Sequence, residues 1–306
     1  MNLRTNNVIA FLGLFLALAA GISCQSDDKT GAKNPGDARM VADSQRIISL
    51  SGFLTELLYT LDVGEQIVGV DVTSTYPAEV NQMTKVGHIS QLNAEGILSL
   101  NPDIIFVQAD QIQQSEALSQ LKNSPVKIVA VPVSHTLHNS IQAAKTISQH
   151  VNVAPTSFQK LESQINQDSI ALQEYLSDKS AHPSVLFIYA RGGGNLMVAG
   201  NNTSAQAIIE IAGGKNAVTA FDQFRALTPE ALLEASPDVI LMFDSGLKIL
   251  DGKEGLGSIP GISQTAAYKN DRIITMNGHY LTSFGPRTGQ AALELAQKLY
   301  SSTPEM

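Results

Sequence analysis

Short apolar runs alternate with amphipathic segments along the chain from residue 46 onward. The runs at 67–70, 104–107 and 239–242 are rich in Val and Ile, which is typical of strands covered on both faces. Between the runs, segments such as 53–61 place Leu and Phe at helical spacing. Strands that alternate with helices predict a parallel β-sheet with helices on its faces, so the pattern predicts the α/β fold class.

The same pattern predicts the order of the elements. Strands are expected at 46–50, 67–70, 104–107, 126–131, 185–189, 239–242 and 272–276. Helices are expected at 53–61, 114–122, 137–149, 155–176, 204–212 and 286–300. One further short helix is expected in each of two repeated segments.

One predicted helix, at 155–176, is longer than the others, and Thr156 or Ser157 is its candidate N-cap. A helix of about twenty residues rises roughly 30 Å, which is enough to run across two lobes. We therefore predict two doubly wound α/β lobes with parallel sheets, joined by one long helix, with a ligand cleft between them. The expected limits are 46–153 for the first lobe, 154–182 for the linking helix and 183–306 for the second lobe.

Two segments, 92–107 and 227–242, align without a gap at a spacing of 135 residues. Each copy has a glutamate near the start of a short helix, at Glu95 and Glu230, followed by a Pro-Asp pair and an apolar run. Proline cannot continue the helix and turns the preceding residue toward extended backbone. Helix, Pro-Asp and strand form a frequent junction in α/β proteins, but six identities at one spacing favour a duplication that produced two homologous lobes.

The N-terminal residues differ from the rest of the chain. Arg4 precedes an uncharged, mostly apolar run that is too short for a typical transmembrane helix and is followed by Cys24. This resembles a bacterial lipoprotein signal, with residues 1–24 as the signal segment and Cys24 as the lipidated residue. An ordinary signal peptide with an incidental cysteine is the alternative, because Gly21 is atypical of that signal. Residues 25–45 are polar and are expected to form a disordered tether.

Composition and charge argue against several classes of function. The 306 residues carry a net charge of −8, which argues against nucleic acid as a partner. Cys24 is the only cysteine, so no intrachain disulfide can form. The six histidines are scattered without the ligand spacing of a zinc or manganese site. The sequence contains no P-loop, nucleophile elbow or dinucleotide fingerprint, which argues against an enzyme.

Several local motifs together point to one family of binding proteins. They are Ser74-Thr75-Tyr76-Pro77, Val86-Gly87, the first repeated segment, the glycine-rich stretch 192–203 and Phe284-Gly285-Pro286-Arg287-Thr288. With these motifs, residues 46–302 resemble the helix-linked (class III) substrate-binding proteins of ABC importers, and most of all the haem-binding subfamily. The resemblance implies a non-enzymatic transport role. The protein would capture haem as its transported ligand and deliver it to a membrane permease with its ATPase subunit, from a lipid-anchored position in the periplasm.

The resemblance also implies which residues bind the ligand. In the haem-binding subfamily a tyrosine in this Tyr-Pro context is the axial iron ligand, which corresponds to Tyr76. A phenolate is a hard anionic oxygen donor that suits ferric iron, and tyrosine is a known haem ligand. His88 stands where the subfamily often has an aromatic residue and is a candidate second contact or alternative ligand, with a solvated loop histidine as the structural alternative. Candidates in the second lobe are Tyr189, Arg191, Tyr280 and Arg287.

The second-lobe candidates have structural alternatives. Three glycines at 192–194 let backbone approach a flat ligand closely, and Arg191 beside them has the geometry to pair with a propionate. A flexible turn with a solvated arginine is equally consistent. Tyr280 is expected to line the cleft, and Arg287 is either a propionate ligand or a structural residue near a helix start. Thr203 is expected to cap the helix at 204–212.

The role of the repeated glutamates and the identity of the ligand each have an alternative interpretation. In this class a glutamate on each lobe inserts between arginines of the two permease subunits, so the resemblance assigns docking to Glu95 and Glu230. Each alone is also consistent with a carboxylate that favours the first turn of a helix. The alternative ligand is a ferric siderophore or a corrinoid such as vitamin B12, in which case Tyr76 would not touch metal. An enzyme of the same two-lobed shape is the rival from another class.

Overall fold

The computed structural model describes residues 45–191 and 195–301. Its strands there are β1 (Ile47–Ser49), β2 (Ile67–Val70), β3 (Ile104–Gln108), β4 (Lys127–Val131), β5 (Ser184–Arg191), β6 (Asn195–Ala199), β7 (Lys215–Asn216), β8 (Phe224–Ala226), β9 (Val239–Phe243) and β10 (Ile273–Met276).

The α-helices in the same residues are α1 (Gly52–Thr60), α2 (Ala94–Ser99), α3 (Glu116–Leu121), α4 (Asn139–Ser148), α5 (Pro155–Leu176), α6 (Ser204–Ile211), α7 (Pro229–Ala235), α8 (Asp244–Ile249), α9 (Gly252–Gly257), α10 (Ala266–Lys269), α11 (Gly278–Thr282) and α12 (Thr288–Tyr300). Short 3₁₀ helices lie at Gly64–Gln66, Ala78–Gln82, Ile89–Gln91, Ile112–Gln114 and Ile262–Gln264. Among these described residues, no helix combines the length and the apolar character that crossing a membrane requires.

The first sheet has the strand order β2-β1-β3-β4, and every neighbouring pair is parallel. Side chains of β3 alternate between two buried clusters. Ile104 and Phe106 pack with residues of α1, α4 and α5, whereas Ile105 and Val107 pack with residues of α2 and α3. Because helices cover both faces, the whole strand is apolar, as the sequence predicts.

The second sheet has the order β10-β9-β5-β6-β8, with β7 beside β5. Strands β10, β9 and β5 are parallel, but β6 runs antiparallel to both β5 and β8. The two α/β lobes are therefore confirmed, with the difference that the second sheet is mixed rather than wholly parallel. Strand β6 begins at Asn195, directly after β5 ends at Arg191, and so short a connection permits only an antiparallel neighbour.

The repeated segments have equivalent structures. In each copy a short helix, α2 or α7, leads to a central strand, β3 or β9. In the first copy the Asp103 carboxylate accepts a hydrogen bond from the backbone N of Arg46 at 2.7 Å. In the second copy Asp238 accepts from the backbone N of Ser184 at 2.9 Å. Each aspartate thus holds the start of the neighbouring strand, which is a structural reason for the Pro-Asp pair in both copies.

The linking helix α5 has the bounds that the apolar spacing predicts. Its N-cap is Ala154 with Pro155 in the first turn, so the expected capping by Thr156 or Ser157 is wrong. Proline is favoured there because its missing N–H has no partner in the first turn of a helix. Leu161 and Ile165 of α5 are buried in the core of the first lobe, and Leu172 in that of the second. The precise residue limits of the lobes remain a prediction.

A close helix crossing yields a stability prediction. A Cβ at Gly289 of α12 would lie 2.5 Å from the Cβ of Asp168 on α5, so Gly289→Ala forces the two helices apart. We expect it to destabilise the protein by about 1–3 kcal/mol. The matched control is Gly96→Ala in α2, where the nearest atom would lie 3.6 Å away and the better helix former should not destabilise. Equal midpoints of thermal unfolding for the two variants would contradict this view of the crossing.

Candidate functional site

Tyr76 lies on the loop that follows β2. The carboxylate of Asp71, only 2% exposed, accepts hydrogen bonds from the backbone N of Thr73 at 3.0 Å and from the hydroxyl of Ser74 at 2.6 Å. Hydrogen bonds to an ionised acceptor are strong, and a satisfied buried polar network rigidifies its surroundings. The loop is therefore firmly held. It presents Tyr76 at 42% exposure, with a cis peptide bond to Pro77.

On the opposite lobe, the residues after β10 form the short helix α11, an element that the sequence analysis does not predict. Asn277 caps this helix, and its side-chain oxygen accepts a hydrogen bond from the backbone N of Tyr280 at 3.0 Å. Such a cap satisfies one of the free N–H groups of the first turn. The cap orients His279 and Tyr280 on one turn of helix beside the cleft.

A cavity of about 290 Å³ lies between these two elements. We call it the tyrosine chamber, and it is lined by Thr75, Tyr76, Asn277, His279, Tyr280 and Arg287. Three residues that the sequence nominates separately, Tyr76, Tyr280 and Arg287, therefore come together here. The first belongs to the first lobe and the other two to the second.

Arg287 is stacked on Tyr76. The guanidinium carbon Cζ lies 3.6 Å from the centre of the Tyr76 ring and 5.1 Å from that of Tyr280. Such a cation over an aromatic ring contributes about 0.5–2 kcal/mol, depending on desolvation. The guanidinium therefore covers one face of the Tyr76 ring.

Glu56 of α1 holds Arg287 in this position. Its carboxylate accepts hydrogen bonds from Arg287 Nε at 2.7 Å and Nη2 at 3.0 Å, and lies 2.9 Å from Nε2 of His279. Burial by itself would raise the pKa of Glu56, but the hydrogen bonds and charges of Arg287 and His279 outweigh it and lower the pKa. Burial likewise tends to lower the pKa of Arg287, and the bond to Glu56 raises it. Both groups are therefore charged.

Sequence reasoning missed both Glu56 and His279 as site residues. A signal for Glu56 exists, since it is the only charged residue between Phe53 and Leu61 in a helix whose other side chains are apolar or uncharged. A charge is rarely buried unless it is paired. No comparable local signal marks His279, because its partner is 223 residues away in the sequence.

A second cavity of about 460 Å³ lies on the other side of His279. We call it the polar chamber. Its lining comes from both lobes and includes the polar side chains of Ser51, Thr73, Gln108, Asp110, Gln111, His135, Ser204, Thr282 and Ser283. Burial lowers the pKa of His135, while Asp110 opposes the shift. His279 lines both cavities, so it divides the cleft into an aromatic, cationic part and a polar part.

Burial dominates the electrostatics of Tyr280. Burial first, and then the carboxylate of Glu294, raise the pKa of Tyr280 to about 12, with Arg287 opposing them. Tyr280 therefore keeps its proton at neutral pH.

Two other nominated residues, His88 and Tyr189, are not among the residues that line either chamber. His88 is exposed and caps a 3₁₀ turn, with its Nδ1 2.9 Å from the Ser90 hydroxyl. The ring of Tyr189 packs against Phe224 and Phe243. Arg191 ends β5, and its side chain, like residues 192–194, lies outside the described part of the structure. Their contacts with a ligand stay predictions.

Glu95 and Glu230 occupy equivalent exposed positions. Each lies in the first turn of its helix, after an N-cap whose side chain accepts a backbone hydrogen bond. The caps are Asn93, bonded to the N of Gly96 at 3.1 Å, and Thr228, bonded to the N of Ala231 at 3.2 Å. The caps satisfy these N–H groups, so neither carboxylate is needed for capping. Thr203 likewise caps α6, as predicted.

Residues 47–280 match the protein family described as periplasmic binding protein. The chain is similar to the periplasmic heme-binding protein RhuT from Roseiflexus sp. RS-1 in its apo form, with 35% identity and a TM-score of 0.78 over 84% of this chain and 98% of RhuT. The periplasmic heme-binding protein HutB of Vibrio cholerae matches at 29% identity, with a TM-score of 0.74 over 84% of this chain and all of HutB (100%).

Curated relatives carry related names. The uncharacterized ABC transporter substrate-binding lipoprotein YvrC of Bacillus subtilis is 26% identical over 270 residues, 87% of this chain and 83% of YvrC. The vitamin B12-binding protein of Pectobacterium atrosepticum is 26% identical over 264 residues, 83% of this chain and 88% of that protein. The family match spans both sheets and the helix between them, and the chain therefore belongs to the periplasmic binding protein family.

Proposed function

We propose that the protein is the substrate-binding component of an ABC importer, that it captures haem between its lobes, and that Tyr76 is the axial ligand of the haem iron. The observation that carries the proposal is Tyr76 on a firmly held loop in an interlobe cavity, with Arg287 stacked 3.6 Å from its ring centre. Similarity to two proteins named as periplasmic heme-binding, at 35% and 29% identity, supports the same ligand class.

The chemistry of the tyrosine chamber suits ferric iron. A metal ligand binds in its deprotonated form, so a phenol that coordinates iron must lose its proton. Arg287 places a positive charge over the ring of this proposed ligand, Tyr76. Because Glu56 already engages Nε and Nη2 of Arg287, we assign this arginine to the phenolate rather than to a propionate. Tyr280 keeps its proton and is assigned a contact with the ligand edge.

The remaining nominated residues complete the proposed cleft. Arg191, at the end of β5, is the candidate partner of a propionate because a guanidinium binds carboxylates bidentately. Tyr189 is proposed as an aromatic contact and His88 as a second contact from the first lobe. The protein captures and releases its ligand without turnover, so it is not an enzyme.

Delivery to the membrane requires a docking surface on each lobe. Glu95 and Glu230 are exposed, equivalent and not needed as caps, and we assign them to arginines of the two permease subunits. Cys24, which like residues 25–44 of the expected tether lies outside the described residues, is proposed as the site of a lipid anchor. A relative named as a lipoprotein supports this location in the envelope.

A corrinoid is the second candidate ligand, because a relative that is 26% identical over 83% of this chain is named a vitamin B12-binding protein. A panel of ligands decides between the two. The purified protein is dialysed to equilibrium with haemin, cyanocobalamin or a ferric siderophore at equal concentrations. Saturable binding of haemin that the other two do not displace is expected. Preferential binding of cyanocobalamin or the siderophore would overturn haem as the ligand and leave the transport role standing.

A further inference from the structure

We propose that Glu56 is a positioning residue for ligand capture, which acts from the first lobe by holding Arg287 of the second lobe against Tyr76. The inference rests on the proposed function and extends it to a residue that touches neither Tyr76 nor the ligand. We call Glu56, His279 and Arg287 the interlobe clasp.

The clasp is a three-bond contact across the cleft. Glu56 lies on α1 of the first lobe, whereas His279 lies on α11 and Arg287 at the N-cap of α12, both in the second lobe. The three donor-acceptor distances are 2.7, 3.0 and 2.9 Å, and Glu56 is 2% exposed. Removing one member of such a buried pair leaves the other charge uncompensated, so the contact specifies one arrangement of its members.

A second contact holds the same segment in place. The carbonyl oxygen of Phe284 accepts a hydrogen bond from Nδ2 of Asn139 in the first lobe at 3.0 Å. The ring of His135, also in the first lobe, lies 4.9 Å from the ring of Phe284. The first lobe therefore contacts the segment 284–287 at both ends. Asn139 and His135 contact Phe284 at one end, and Glu56 binds Arg287 at the other.

The absence of a side chain at Gly52 leaves room for the imidazole of His279 in the interlobe clasp. A Cβ at this position would lie 2.6 Å from Cε1 of His279 and 2.9 Å from the carbonyl oxygen of Thr73. The imidazole therefore packs directly on the first turn of α1, four residues before Glu56. With any larger residue at Gly52, His279 could not reach the Glu56 carboxylate in this position.

The consequence for Tyr76 follows from the geometry of Arg287. Nε and Nη2 of Arg287 donate to Glu56 while its guanidinium carbon lies over the Tyr76 ring. An unrestrained arginine carries large rotamer entropy and extends into solvent. Glu56 of the first lobe thus holds the cation of the second lobe against the ring of the proposed iron ligand.

The test compares Glu56→Gln with the wild type, with Glu65→Gln as the matched control because Glu65 is an exposed glutamate just beyond α1. In the ligand-free protein, the arginine Nε–H signal that disappears in Arg287→Lys is followed by ¹⁵N NMR. We expect it to be protected from solvent exchange in the wild type and in the control, and to lose this protection in Glu56→Gln. Haem affinity should fall about 10- to 100-fold, with a shifted tyrosinate-to-iron absorption band.

A double-mutant cycle separates positioning from a general structural role. If Glu56 acts through Arg287, Glu56→Gln changes haem affinity by less than about 3-fold in an Arg287→Gln background. An equal loss in both backgrounds, or wild-type affinity and spectrum in Glu56→Gln, overturns the inference while haem capture stands. Failure of the wild type to bind haem would instead remove the proposed function, and the NMR signal would still show whether Glu56 holds Arg287.

Discussion

Replacing Tyr76 by phenylalanine is expected to weaken haem binding by at least about 100-fold, since even the outer partners of a metal ligand contribute about 10- to 100-fold. The substitution removes the oxygen donor and keeps the ring on which Arg287 is stacked at 3.6 Å. The packing of the tyrosine chamber is therefore retained, and the loss reports the iron–oxygen bond. Isothermal titration with haemin measures the change in affinity, and the absorption spectrum shows whether the tyrosinate band disappears.

Tyr280→Phe is the matched control for this prediction. Both substitutions delete one hydroxyl from the same chamber. Because burial and nearby carboxylates raise the pKa of Tyr280 to about 12, we assign its phenol a contact with the ligand edge and not the iron–oxygen bond. We expect Tyr280→Phe to keep the tyrosinate band and to lose at most about 10-fold in affinity, the value of one hydrogen bond. The opposite ranking of the two variants would assign the iron ligand to Tyr280.

Reversing the charge of both repeated glutamates, with Glu95→Lys and Glu230→Lys together, is expected to abolish transport and leave haem binding unchanged. Both side chains are exposed, and neither lines the two chambers. Like charges placed against one another in an interface cost several kcal/mol, so lysines facing permease arginines should prevent docking. Uptake of haem iron by cells that depend on this importer measures the effect.

The controls for docking are Glu116→Lys and Glu254→Lys. These glutamates are also exposed and also lie in the first turn of a short helix, α3 in the first lobe and α9 in the second. They reproduce the change in charge and in helix electrostatics without touching the repeated positions. Transport that fails equally with the control pair would show that overall charge, rather than Glu95 and Glu230, governs uptake.

The architecture of the protein is largely readable from the sequence because burial dictates it. A parallel strand such as β3 must be apolar throughout when helices cover both of its faces. The linking helix α5 must place apolar side chains at helical spacing toward the cores and polar side chains toward solvent. Both patterns are local and strong, and the structure has both elements where they are predicted. Strands β6 and β8 have five and three residues, too few for a clear period, which is why the second sheet is expected to be parallel throughout.

The candidate site is less readable because its contacts are distant in the sequence. Tyr76 could be nominated from its Tyr-Pro motif and Arg287 from the Phe-Gly-Pro-Arg motif, but nothing local states that the two stack. Glu56 and His279 join them through pairs separated by 231 and 223 residues. Only the fold brings such groups within hydrogen-bonding distance, so the sequence pattern can mark Glu56 as a charge in an apolar helix but cannot identify its partners.

The repeated segment has the clearest relation between sequence and structure. Its aspartates, Asp103 and Asp238, each accept a hydrogen bond from a backbone N–H at the start of a neighbouring strand or just before it, which explains why they recur. Its glutamates, Glu95 and Glu230, have no such structural duty beside the caps Asn93 and Thr228. A duplicated residue that the fold does not require is a reasonable candidate for a duplicated partner, and the two permease subunits are that partner in our proposal.

The absorption spectrum of the purified protein during titration with ferric haemin tests the central claim most directly. The account predicts saturable, stoichiometric binding with a high-spin ferric tyrosinate spectrum, and the loss of that spectrum in Tyr76→Ala. Haemin that fails to saturate the wild type, or an unchanged tyrosinate spectrum in Tyr76→Ala, would contradict capture of haem by Tyr76.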